Sequence, residues 1–146
     1  MLEMIVEVSR EFVTGYSSTN TTTDQTIRND ILTRAGHQDI IGKEVSQLDP
    51  KKEHGEITLL AGGISGNSLL PKQLNTTARI RELAPEKYII GIGGIGDEIS
   101  AGKTIIAGAQ AMALYSRLAQ DGPGVIPLVN IGAAQTIEAL ARASAH

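Results

Sequence analysis

Apolar residues recur at Met1, Met4, Ile5, Val8 and Phe12. That three-to-four spacing predicts a helix over residues 1–13, ended at Gly15 as helices commonly end. Residues 16–20 suit a short strand. From 21 to 56 the chain turns polar and mixed, with Asp49-Pro50-Lys51-Lys52-Glu53 as a break. A polar stretch this long within a compact fold is a functional loop or carries minor structure of its own. Residues 57–60 then read as a strand running into Ala61-Gly62-Gly63-Ile64-Ser65-Gly66.

The pattern is regular after that. Residues 72–84 predict a helix with Leu74, Thr77, Ala78 and Arg81 on one stripe, closed by Pro85. Tyr88-Ile89-Ile90-Gly91-Ile92 is a compact β-branched run of the kind that makes a buried strand. Residues 97–108 read as a helix with Asp97 at its positive end, and 110–115 as the next strand. The closing helix spans 124–145, with Val125, Leu128, Val129, Ile137, Leu140 and Ala141 turned inward. Alternating strands and helices favour an α/β fold with a parallel sheet, because parallel neighbours need a crossover between them.

Composition narrows the function classes. Of 146 residues, 41% are hydrophobic and 20% charged, as in ordinary globular proteins, while aromatics are only 3%, so the core must be aliphatic. A net charge of −3 argues against a protein built to neutralise nucleic-acid phosphates. The chain has no Cys, which excludes thiolate metal sites and a cysteine nucleophile in this chain and fits a reducing, cytoplasmic compartment. No apolar run reaches membrane-span length, and no signal-peptide pattern opens the chain. His37 and His54 fall in the polar insert and read as solvated side chains rather than catalytic ones, because a general base needs a positioned partner. His146 is terminal. The sequons at Asn20 and Asn75 mean little without a secretory signal.

Glycine is the informative residue. There are sixteen, well above the usual share of about 7%, clustered where strands should end. Gly91-Ile92-Gly93-Gly94-Ile95-Gly96 satisfies G-x-G-x-x-G after a strand and before a helix, but the strand that comes next ends in Tyr115-Ser116 without the ribose-binding acid of a dinucleotide fold. Gly102-Lys103-Thr104 imitates a P-loop ending, yet its first glycine would have to stand at Asp97. A barrel phosphate site fits better, since it draws on loops after two successive strands. Gly93 and Gly94 would bring backbone N–H groups to phosphate oxygens, and Ser116 adds a hydroxyl. Glycines that merely pack strand ends against helices give the same spacing, so both readings stand.

Taken in order, Gly62-Gly63-Ile64-Ser65-Gly66, Ile90-Gly91-Ile92-Gly93-Gly94-Ile95, Ala107-Gly108-Ala109, Leu114-Tyr115-Ser116 and Asp121-Gly122-Pro123-Gly124 resemble the C-terminal part of the dihydroorotate dehydrogenase family. Asn20-Thr21-Thr22 is similar to that family's Asn-Thr-Thr at an upstream strand end. The resemblance implies the last three or so β/α units of an FMN-dependent (β/α)8 TIM barrel that oxidises dihydroorotate to orotate in pyrimidine biosynthesis. Carried over by position, Asn20 would hydrogen-bond the pyrimidine, with Thr21 beside it and near the flavin. Ser65 and Gly66 would line the flavin, and Gly93, Gly94, Tyr115 and Ser116 would hold the FMN phosphate. An amide side chain suits a ring that presents both carbonyl and N–H groups.

The chain departs from the family in three respects. The stretch from 20 to 62 is longer than in the membrane-associated class. Asn67-Ser68-Leu69-Leu70-Pro71 looks like the soluble class, whereas Asn20-Thr21-Thr22 and Tyr115-Ser116 look like the membrane-associated one. The family's N-terminal half, with its catalytic Ser or Cys base and flavin-binding lysine, has no counterpart here. A closed barrel takes about 250 residues. The expectation is therefore a single partial-barrel domain, residues 23–58 forming an insert, that needs an upstream half-barrel chain, a second copy of itself or the rest of a chain from which it was cut. The competing expectation is a non-catalytic half-barrel that binds FMN or another phosphate-bearing ligand, or an assembly subunit.

Overall fold

A computed structural model of the chain describes residues 1–18, 25–34, 36 and 65–145. The strand predicted at 57–60, the glycines at 62 and 63, Asn20, Thr21, and all three histidines lie outside the described residues.

Three parallel strands form one sheet in the order β1-β2-β3: β1 is Gly15–Ser17, β2 Tyr88–Ile92 and β3 Ala111–Ala113. The register pairs Tyr16 with Ile89 and Gly91 with Met112. The helices are α1 (Leu2–Ser9), α2 (Gln25–Arg34), α3 (Leu70–Leu83, entered through a 3₁₀ turn at Asn67–Leu69), α4 (Glu98–Ile106), α5 (Ser116–Asp121) and α6 (Val125–Ser144). Among the described residues the alternation is as predicted, with α1, α4 and α6 trimmed at their ends. Helix α3 starts two residues earlier than expected, and α5 is unforeseen. Helix α1 ends at Ser9, and Gly15 opens β1 instead of closing the helix. The polar stretch contains a helix of its own, α2.

Among the described residues, two aliphatic clusters hold the layers together. Val6, Ile80, Ala84 and Ile89, with Leu2, Tyr16 and Leu83, join α1 and α3 to the sheet. Ile95, Ala101, Val125 and Val129, with Met112 and Leu114, join α4 and α6 to the strand tips. At the strands' entry side, Arg81 donates to the carbonyls of Gly108 (Nη2, 2.7 Å), Pro85 (2.6 Å) and Lys87 (3.0 Å). One guanidinium thus ties the turns leading into β2 and β3.

Three expectations need correcting. β2 is buried on one face only: Ile89 and Gly91 are covered by helices, while Tyr88 and Ile90 are 52% and 37% exposed. A β-branched run reads the same whether one face or both are covered. On α3 the buried stripe is Gln73, Thr77 and Ile80, with Leu74, Ala78 and Arg81 at its margins, because the buried Gln73 satisfies its amide beneath the sheet. On α6 only Val125, Val129 and Gly132 are buried; Leu128, Ile137, Leu140 and Ala141 are exposed.

The reason lies in how α6 meets α4. A Cβ on Gly132 would stand 2.2 Å from the Glu98 carbonyl oxygen, and one on Gly102 would stand 2.6 Å from Thr136 Oγ1. The helices touch backbone to backbone along a line of small residues, so the larger apolar residues of α6 point elsewhere. Replacing an interior helical glycine by alanine ordinarily favours the helix by up to about 1 kcal/mol. At Gly132 the methyl must instead displace backbone, and Gly132→Ala should lower stability by about 1–3 kcal/mol. Urea unfolding midpoints test this; a stabilised variant would refute the close approach.

Candidate functional site

At the carboxyl ends of β2 and β3 the chain leaves each strand through a turn, and the two turns face each other across a cavity of about 320 Å³. Gly93 (φ 110°) and Gly94 (φ 75°) carry the chain out of β2 in backbone conformations that L side chains rarely adopt. Gly94 also has no room for a side chain, since a Cβ would lie 2.5 Å from the Leu70 backbone nitrogen at the start of α3. The turn is therefore pressed against the start of α3, which follows directly on the third contributor to the cavity, the segment Ser65–Leu69. From β3 the chain passes through Leu114 and Tyr115 into α5, whose first turn has no side-chain cap.

The cavity gathers six of the residues nominated from sequence: Ser65, Gly66, Gly93, Gly94, Tyr115 and Ser116. Ser116 Oγ donates to Ser65 Oγ at 2.8 Å, which bridges two loops and leaves the Ser65 hydroxyl proton to point elsewhere. Tyr115 is 82% exposed at the rim. Asn20 and Thr21, nominated for the substrate, lie outside the described residues. Leu69, Ile92, Ile95, Ala113 and Leu114 supply apolar wall, and Arg117 supplies a charge. None of these six was nominated for the site from sequence, although Arg117 directly follows Tyr115-Ser116. A cavity of this size, mostly apolar with a few converging polar groups, has the make-up of a ligand site.

The decoy motifs are resolved by the same geometry. A dinucleotide or P-loop site would present a helix N-terminus to phosphate just after the glycines. Here the start of α4 is taken by its own side chain. Asp97 Oδ1 accepts from the Ser100 amide and hydroxyl, both at 2.7 Å, and Ser100 Oγ in turn accepts from the Gly96 and Asp97 amides at 3.0 and 3.1 Å. Lys103 is exposed in mid-helix, and Gly102 faces α6. Among the described residues no cluster of His, Cys, Asp and Glu could hold a metal ion. No helix among them is long and apolar enough to cross a membrane.

Three parallel strands in one sheet, with helices packed on it and the carboxyl-end turns of β2 and β3 meeting at one cavity, define a piece of a β/α barrel. Comparison with known proteins agrees. A family model described as "Dihydroorotate dehydrogenase" matches residues 7–136. The dihydroorotate dehydrogenase (quinone) of Sinorhizobium fredii is 42% identical over 66 residues, which is 44% of this chain and 18% of that protein. Its Vibrio cholerae counterpart is 39% identical over 67 residues, covering 45% and 20%. The crystal structure of DHODH from Eimeria tenella in complex with ferulenol superposes with a TM-score of 0.61 at 24% identity, over 88% of this chain and 28% of that one. The chain belongs to the dihydroorotate dehydrogenase family. Its matched segment spans about a fifth of the length of these bacterial relatives.

The Asp97–Ser100 box gives this region a pH signature. The Ser100 amide, then its hydroxyl, hold the Asp97 carboxyl below its usual range; Arg117 adds to this, and partial burial opposes it. A carboxyl depressed on folding stabilises the fold above its unfolded pKa of about 3.9, and that stability is lost as pH falls through the folded value. Asp97→Ala should cost about 0.5–2 kcal/mol at pH 7. Any advantage of wild type over Asp97→Asn should shrink as pH falls from 7 to below 4. Urea midpoints across that range check it; a gap that widens in acid would contradict the box.

Proposed function

We propose that this chain is the flavin- and substrate-binding part of a dihydroorotate dehydrogenase-like oxidoreductase, acting in pyrimidine biosynthesis in the cytoplasm. The observation that carries the reading is the convergence of the two strand-tip turns and the Ser65–Leu69 segment on one cavity. FMN fits the donor chemistry found there. Glycine turns offer backbone amides without side chains in the way, and the Ser65 and Ser116 hydroxyls stand 2.8 Å apart. An apolar wall stands behind them. In this reading the Gly93-Gly94 backbone, Tyr115 and Ser116 hold the phosphate end, while Ser65 and Gly66 line the flavin. When bound, FMN supplies the capacity to accept a hydride from the dihydropyrimidine. The chain's own contribution is to bind and orient: Asn20 offers donor and acceptor to the substrate ring, with Thr21 beside it.

The catalytic base would come from outside these residues, so activity requires the rest of the barrel, as an upstream half-barrel chain, a second copy of this one or the remainder of a longer chain. The bare sheet face around Tyr88 and Ile90 supports a need for completion, since exposed strand edges and apolar faces invite a partner. That face equally suits the second reading, a non-catalytic half-barrel that binds FMN or another phosphate-bearing ligand, or an assembly subunit.

The visible spectrum of the purified chain separates these readings. Flavin absorbance supports binding, and bleaching by dihydroorotate supports the enzyme alone; colourless protein that gains no absorbance from added FMN would sink the flavin assignment. Gly93→Val should abolish flavin retention, because the position requires φ near 110° and valine resists it. Retention equal to wild type would remove Gly93 from the site. In an enzyme completed by its partner, Asn20→Ala should damage turnover more than flavin content, and equal loss of both would count against a substrate role.

A further inference from the structure

One residue lining the cavity has no part in the function proposed above. Arg117 is the only charged residue among the described residues around it. Its stem lies over Gly96, where the missing side chain makes the room: a Cβ there would stand 2.3 Å from Arg117 Cγ. Its tip is held by Asp121 one helical turn on, Nη2 to Oδ2 at 2.8 Å. The other carboxylate close enough to feel it, Asp97, caps α4. Neither carboxylate lines the cavity. The side chain is only 34% exposed, so solvent screens its charge less than that of a surface lysine.

Arg117 is thus a cation anchored at stem and tip before any ligand arrives, which cuts the ordering cost of binding. The hydroxyls and backbone amides beside it can donate to a phosphate or, more weakly, to a neutral hydroxyl. The guanidinium adds a full positive charge to that preference, so among these donors it discriminates most strongly between a charged and an uncharged partner. We propose that Arg117 is the residue by which this cavity selects ligands ending in a phosphate monoester over their uncharged counterparts. The inference rests on the flavin reading for the identity of the ligand, but not for its charge.

The test uses the full chain with two probes that differ only in the phosphate, FMN and riboflavin. Arg117→Met keeps an aliphatic stem over Gly96 and removes the charge, and Arg117→Lys keeps a charge. Wild type should bind FMN more tightly than riboflavin. Arg117→Met should lose roughly ten- to a hundredfold in FMN affinity with riboflavin unchanged, and Arg117→Lys should recover part of the loss. Equal loss for both flavins would make Arg117 a shaping residue only and overturn the proposal, as would undiminished FMN binding by Arg117→Met. If wild type binds neither flavin, the flavin reading falls and inorganic phosphate becomes the probe. Phosphate binding that Arg117→Met abolishes then upholds the proposal; no binding by wild type, or equal binding by both, overturns it.

Discussion

The helices are seated on the sheet by a polar contact in an otherwise aliphatic interior. Gln73 on α3 has no exposed surface, nor do Thr77 and Thr104. Its Nε2 donates to Thr77 Oγ1 at 2.9 Å and reaches Ser18 Oγ at 3.5 Å, while Thr104 Oγ1 on α4 stands 3.2 Å from its Oε1. One amide thereby links α3, α4 and the end of β1 directly beneath β2. The contact exists because β2 has a glycine above it: a Cβ on Gly91 would stand 2.4 Å from Thr104 Cγ2 and 2.8 Å from Gln73 Nε2. Leaving such an amide buried and unpaired would cost about 1–3 kcal/mol, so the helices must return to one seating. That seating brings the start of α3 under Gly94 and the start of α4 under Gly96, and the shape of the cavity results from it.

The same contact explains what could and could not be read from the chain. Element order was legible because each β/α unit alternates a β-branched run with a helical period, and the strand at Tyr88–Ile92 emerges at the predicted boundaries. The turn after β2 was legible because Gly93 and Gly94 stand at positive φ, a conformation that glycine adopts at little cost. The stripe on α3 was displaced because a pattern of apolar residues cannot register a glutamine that makes its hydrogen bonds inside the protein. The inner face of α6 was misread for the opposite reason. Leucines and isoleucines mark what a helix could bury, whereas Gly132 and Thr136 mark where another helix comes close enough to exclude them. Arg117 was missed because a charge beside a site and a charge on a solvated helix look alike in one dimension.

Burial is also uneven in a way that bears on assembly. The helix-covered face of the sheet carries Tyr16 and Ile89 in a packed cluster, while the opposite face carries Tyr88 and Ile90 in the open. On α1 the inward residue Val6 is 1% exposed, yet Met4, Ile5 and Val8 on its other faces are between 51% and 68% exposed, and Phe12 just beyond the helix is 84% exposed. Surface ion pairs such as Arg10–Glu86 and Arg79–Glu3 contribute little against that much unburied apolar area. The aliphatic pattern of the sequence is therefore larger than the described fold consumes, on one sheet face and along one helix.

Glycine strings of this kind become different sites according to how the next helix begins. In a dinucleotide fold that helix turns its bare N-terminus to the phosphates, and the glycines serve to let the ligand approach it. Here the helix after Gly91-Ile92-Gly93-Gly94-Ile95-Gly96 closes its own N-terminus with the Asp97 carboxylate, a negative charge in the position where a phosphate would stand. Anion binding at that helix would set two negative charges against one set of donors. The turn after β3, by contrast, carries Ser116 and Arg117 and leads into α5 without a side-chain cap. The aspartate that caps α4 thus sets negative charge at one helix start, and the arginine next to Tyr115-Ser116 sets positive charge beside the following turn.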